Sequence, residues 1–234
     1  MNSKGQFYPL KDYNKSKSFP IITLILIALN ALIFYLSTLI GLNDTILRYG
    51  FIPGFFSLET FYTIITSTFL HADLAHLTGN MWFLWIFGDN VEDKLGKKRF
   101  TALYLISGLT ANLALYLINP SWLGAAIGAS GAISGVMGAY FILFNQKKIK
   151  TKTGIKSVFI FMGAYFAFQL YYIYLRAIGE LESNTAFLAH IAGFIAGIIL
   201  LLILFKGKIS FSIKDSELEE IISMLLGKEK TKKK

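Results

Sequence analysis

Five apolar runs of about twenty residues constrain this chain more than any other feature. They are Ile21–Ile40, Phe100–Ile118, Ala125–Phe144, Ile155–Ala177 and Ala186–Phe205. As helices rising about 1.5 Å per residue, each comes close to crossing the ~30 Å hydrocarbon core of a bilayer. Lipid offers the backbone no hydrogen-bond partners, so such runs fold as helices packed on one another. A sixth run, Leu74–Val91, is less uniform, because His76 and Asn80 fall in its first turns. The segment Ile46–Leu70 is also apolar, but Arg48, Pro53, Gly54 and Glu59 interrupt it. Proline and glycine break a helix and charges are costly at mid-membrane, so this stretch reads as a loop. The expected fold is an all-α membrane protein: a compact bundle of six transmembrane helices with a long, partly interfacial first outer loop.

Charge placement supports six spans rather than seven. The chain carries a net charge of +9, which in a soluble protein would raise the question of nucleic acid. With a mean hydropathy of +0.55 the better question is where the cations sit relative to the spans. Six spans place 21 of the 23 Lys and Arg on one side, leaving only Arg48 and Arg176 on the other. By the positive-inside rule, both termini are then expected in the cytoplasm; the compartment expected for this integral membrane protein is the cell membrane of a prokaryote. The expected parts are a short cytoplasmic N-terminal segment (1–20), a membrane domain (21–205) and a basic cytoplasmic tail (206–234). Within the tail, Ser216 and Glu219 suit a capping box ahead of a short helix with one apolar face, which would either rest on anionic lipid or stand as a soluble helix with a solvated end. The run after Phe19 has the length of a span rather than of a leader's apolar core. The chain has no cysteine, which removes disulfides and thiolate metal sites.

Polar residues in the spans then stand out. The only histidines are His71, His76 and His190. With six spans, the second, fourth and sixth all run in the same direction. His76 and Asn80 lie in the first two turns of the second, Ser130 about five residues into the fourth, and His190 about four residues into the sixth. All four thus fall roughly 3–9 Å below the same ends of their helices. His76 and Asn80, four apart, share a helix face, whereas His71 lies about 140° away and precedes the span. Taken singly, each has a structural explanation, as a buried hydrogen-bonding group or a back-bonded hydroxyl. Jointly they supply a nucleophile, a base and two donors at one depth. Serine needs a base to take its proton, imidazole suits that role near neutral pH, and acyl transfer needs donors aimed at the oxyanion. The spans carry no carboxylate at that depth, so the arrangement would be a Ser–His dyad. The glycines at 128, 131, 135, 138, 193 and 197 suit close helix packing.

These residues, in this order, resemble the rhomboid family of intramembrane serine proteases, over roughly Pro53 to Phe205. Gly128-Ala129-Ser130-Gly131 is similar to the family's GxSG motif, whose serine is the nucleophile. Ala189-His190-Ile191-Ala192-Gly193 is similar to its AHxxG motif, whose histidine is the base. The stretch from His71 through His76 to Asn80 resembles the second-helix His/His/Asn pattern, in which the later His and the Asn assist the oxyanion. Gly88-Asp89-Asn90-Val91-Glu92, then Gly96 and Phe100, resembles the stretch that follows it. The resemblance implies catalytic roles for Ser130 and His190 and oxyanion stabilisation by His76 and Asn80. It implies a membrane-embedded endopeptidase that cuts single-span membrane proteins near the outer end of their helix, with small residues preferred at the cut.

Two positions depart from the family. Tyr62-Thr63 stands where a Trp-Arg pair is frequent, and Ser134 stands where an aromatic residue often packs on the catalytic histidine. A hydrogen bond from Ser134 to His190 is expected in its place. The fifth span and its outer loop, Gly179–Thr185, are candidates for the route by which the site opens to lipid. The alternative is a catalytically silent rhomboid-like protein that binds membrane clients, although such relatives usually lack the serine or the histidine. A transporter is disfavoured because no charged residue is evident deep in the spans. The sequence has no HExxH motif, and the glycines at 128–138 lack the lysine of a phosphate-binding loop. Neither metal nor cofactor is expected. The expected partners are transmembrane protein substrates and membrane lipid, with no nucleic acid, and no motif here specifies an oligomeric state.

Overall fold

The computed structural model describes residues 9–14, 16–151, 154–179 and 187–205. Six helices of 15–22 residues form the body: α1 (Ile21–Ile40), α4 (Leu74–Leu95), α5 (Lys97–Ile118), α6 (Ser130–Phe144), α7 (Val158–Ala177) and α8 (Phe187–Leu204). The first coincides with its expected run, and the others differ from theirs by a few residues at one or both ends. The helices α1, α5, α7 and α8 contain stretches long and apolar enough to cross a membrane. Of the other two, α4 has the length but carries Asp89, Glu92 and Asp93 in its last turns, and α6 is apolar but short. Burial explains how α6 tolerates its length: eleven of its fifteen residues are buried. It lies among α4, α5 and α8 and presents little surface to any solvent.

Glycine makes the α6–α8 seam. A Cβ placed on Gly193 would collide with the backbone carbonyl of Gly131, and one on Gly197 with that of Gly135. Without side chains at these positions the two backbones reach contact, as small residues allow in membrane helices. Gly138 meets the Phe194 carbonyl in the same way, so the packing reading of these glycines holds.

Between α1 and α4 the chain folds into short pieces rather than a span. These are α2 (Leu42–Tyr49), a turn at Pro53–Phe55, and α3 (Thr63–Thr66) with a further turn at Ser67–Phe69. Phe51 forms a two-way backbone bridge with Ala126, and Gly128 N–H donates to the Ser67 carbonyl at 2.9 Å. Asn112 of α5 anchors the loop by donating to the Ile64 carbonyl and the Ser67 hydroxyl, at 2.8 and 3.0 Å. These bonds correct one expectation. Ala125–Ala129 is not helical, because its backbone groups are engaged by the loop. Helix α6 therefore starts at Ser130, and the serine stands in its first turn rather than five residues in.

The opposite end of the bundle carries a feature not expected from the sequence. Strands β1 (Pro9–Asp12), β2 (Lys148–Thr151) and β3 (Gly154–Ser157) form an antiparallel sheet in that order. Ile155–Ser157 is therefore strand, and α7 begins at Val158. The helical class of the bundle stands, with this sheet added at its end. The tail 206–234 with its expected amphipathic helix, and Glu180–Thr185 of the expected opening route, lie outside the described residues.

Candidate active site

Helix α4 begins where Asp73 accepts a hydrogen bond from the His76 backbone N–H at 2.7 Å. This N-cap fixes the first turn and brings His76 and Asn80 to one face of α4. Gly128 lies against that face. A Cβ there would sit 2.7 Å from His76 Nε2 and 3.3 Å from Asn80 Nδ2. The backbone at Gly128 also has φ +112°, a conformation that side chains resist, so both sterics and backbone require glycine. Two residues later the chain enters α6 and exposes Ser130.

Ser130 Oγ lies 2.8 Å from His190 Nε2, in the first turn of α8. The other ring nitrogen, Nδ1, lies 3.1 Å from Oε1 of Gln169 on α7. Phe187, one turn before His190, meets its ring edge to face at 6.5 Å between centroids. The expected bond from Ser134 to His190 is absent. Ser134 is buried and sits 3.3 Å from the Tyr165 hydroxyl, facing α7 a turn deeper than His190.

His71, expected to stand apart from the group, is drawn into it. Its ring packs on His76 at 5.0 Å between centroids, and its Nε2 is 2.9 Å from Asn80 Nδ2. Burial, reinforced by the neighbouring His76, lowers its pKa to about 4. The neutral ring accepts the Asn80 amide proton and so fixes which way that amide points. The second Asn80 N–H remains available. His76, Asn80, Gly128, Ser130, Ala189 and His190 all border one cavity of about 660 Å³.

The structure thus brings Ser130 and His190 into hydrogen-bond contact and sets His76 and Asn80 on the wall of the same cavity. The backbone N–H of Ser130, in the first turn of α6, is a further donor at a helix N-terminus. No cluster of three or more His, Cys, Asp or Glu suited to hold a metal occurs among the described residues. Gln169 is the site neighbour that sequence reasoning missed. Its signal was available, since an amide in an otherwise apolar span is costly unless it finds a partner.

The rhomboid domain family matches residues 58–207. The chain is 36% identical over 116 residues to the mitochondrial presenilin-associated rhomboid-like protein of Rattus norvegicus, covering 49% of this chain and 30% of that protein. It is 30% identical over 184 residues to rhomboid protease GluP of Bacillus subtilis, covering 76% of this chain and 34% of that one. The putative rhomboid protease YdcA of the same organism is 30% identical over 188 residues, covering 78% and 87%. The match thus spans about a third of the length of the first two relatives and most of the third.

Proposed function

Since the chain belongs to the rhomboid family, we propose that it is an intramembrane serine endopeptidase working through a Ser130–His190 dyad. The observation that carries this reading is the 2.8 Å contact between Ser130 Oγ and His190 Nε2 at the wall of a cavity. In the first step the Ser130 oxygen attacks a peptide carbonyl as its proton passes to His190 Nε2. The carbonyl oxygen becomes an oxyanion that accepts hydrogen bonds from the Ser130 N–H, His76 and Asn80. On collapse the C–N bond breaks and the amine leaves with the proton from His190. Water then attacks the acyl-enzyme, giving one proton to His190, and the ester C–O bond breaks. The carboxyl product departs as Ser130 regains its proton.

All six long helices cross the membrane in this reading, with α4 and α6 covered by their neighbours. The positive-inside rule puts both termini in the cytoplasm and the Ser130 end toward the outer face. The substrate class is the single-span membrane protein, cut near the outer end of its helix. The glycine-lined approach to Ser130 suits a small side chain at the cut. The Bacillus relatives favour the cell membrane of a prokaryote.

The test is labelling of detergent-solubilised protein with a serine-directed phosphonate, alongside cleavage of a single-span reporter. Wild type is expected to be labelled and to cut. Ser130→Ala is expected to lose both, and His190→Ala to lose cleavage. Cleavage that survives both substitutions rejects the dyad. Binding of the reporter without any cleavage by wild type favours a silent client-binding protein.

A further inference from the structure

From α7, Gln169 meets His190 on the ring nitrogen the dyad does not use. An imidazole acting as base toward Ser130 must present an unprotonated Nε2, which requires the proton on Nδ1. An acceptor on Nδ1 holds that tautomer, whereas a donor there would leave Nε2 protonated and unable to take the serine proton. Gln169 presents its Oε1, the acceptor end of the amide. Ser130 holds Nε2 and Phe187 packs on the ring, but Ser134 turns to Tyr165, so Gln169 is the group that engages Nδ1.

We propose that Gln169 is a positioning residue that fixes the tautomer and orientation of His190, in the place a carboxylate occupies in Ser-His-Asp triads. This rests on the dyad reading above. A neutral amide orients the imidazole without adding the charge that would stabilise an imidazolium. The other titratable groups bordering the cavity are His76 and Asp73 at the start of α4. The lining residues from α5, α6 and α8 add no carboxylate, amine or second imidazole.

The experiment compares wild type, Gln169→Leu and Gln169→Glu, reading reporter cleavage and the rate of phosphonate labelling from pH 5 to 9. Gln169→Leu is expected to lower kcat roughly 10- to 100-fold with KM nearly unchanged. Gln169→Glu keeps an acceptor on Nδ1 and is expected to restore kcat to within a few-fold of wild type. Its carboxylate favours protonated His190, so the acid limb of the pH profile should move to higher pH. The acid limb reports that residue 169 stands beside Nδ1, and the loss of kcat at unchanged KM in Gln169→Leu with its rescue in Gln169→Glu separates positioning from a merely structural role. Wild-type kcat in Gln169→Leu, or an unmoved acid limb in Gln169→Glu, overturns the proposal. Failure of wild type itself to label and cut overturns the dyad reading instead, which keeps the two outcomes distinct.

Discussion

At the sheet end of the bundle, Glu92 of α4 is buried, and both its carboxylate oxygens are taken up by the start of α1. It accepts from the backbone N–H groups of Ile22 and Thr23 and from the Thr23 hydroxyl, at 2.8–2.9 Å. At the other end of the same helix, His76 and Asn80 face a cavity, and Asn80 has one amide proton committed to His71. The two clusters stand on one helix among similar apolar neighbours. One is a closed set of bonds that ties an early helix end to the bundle. The other stands on the wall of a cavity, where the proposed substrate would sit. A buried polar group stabilises once its bonds are complete, and it is available for chemistry when they are not.

The sharpest way to break this comparison is at the open end. Asn80→Ala removes one of the proposed oxyanion donors and is expected to lower kcat by roughly 10²–10³, or about 2.7–4 kcal/mol at the transition state. Its effect on KM should be small, because the bond strengthens only as charge develops. Steady-state cleavage of the single-span reporter checks this. An unchanged kcat would remove Asn80 from the reaction and leave it as a partner of His71 alone.

The closed end should respond in the opposite sense. Glu92→Ala leaves three donors at the start of α1 without their acceptor, in a buried setting. Bonds to charged groups contribute about 1.5–3 kcal/mol each, but water reaching the frayed helix end offsets part of the loss. A destabilisation of about 2–3 kcal/mol is expected by denaturant titration in detergent. The kcat of the protein that remains folded should be unchanged. A loss of kcat at full stability would mean that the two ends are coupled through α4.

The two ends also differ in how far the sequence revealed them. Long apolar runs give α1 to the residue, because membrane-spanning helices are defined by composition over twenty positions. The start of α6 was misplaced because hydropathy does not register that Ala126 and Gly128 bond to Phe51 and Ser67 from a distant loop. Motif order pointed to Ser130, His190, His76 and Asn80, and the structure sets all four on the wall of one cavity. The Gln169–His190 contact follows from how α7 packs beside α8, which no spacing in the chain encodes. Ser134 was assigned to the wrong partner for the same reason, since Tyr165 is also a residue of α7. The sheet was invisible because four-residue strands that each carry lysine resemble solvated loop. What holds it in place is tertiary: Trp82 donates to the Pro9 carbonyl at 2.6 Å, and Asn90 and Tyr140 both donate to Asp12.

That sheet anchor yields the smallest expected effect, and its sign follows from Asp12. Burial raises its pKa from about 3.8 to about 6; the Tyr140 hydrogen bond opposes the shift and the charge of Asp89 adds to it. The folded state therefore holds the Asp12 proton more tightly than the unfolded chain. Between about pH 4 and 6 it carries more bound protons, so stability falls as pH rises through that window and levels off above it. Solvent screening at this partly exposed site keeps the effect to about 1 kcal/mol or less. Asp12→Asn retains an acceptor for Tyr140 and cannot ionise. The difference in melting midpoint between wild type and Asp12→Asn in detergent should therefore shift against wild type from pH 4 to 6 and stay constant from 6 to 8. A flat difference across the whole range would mean that Asp12 ionises as freely in the fold as in the unfolded chain. The sheet end would then be less closed than its hydrogen bonds indicate, and the contrast with the Ser130 end would narrow.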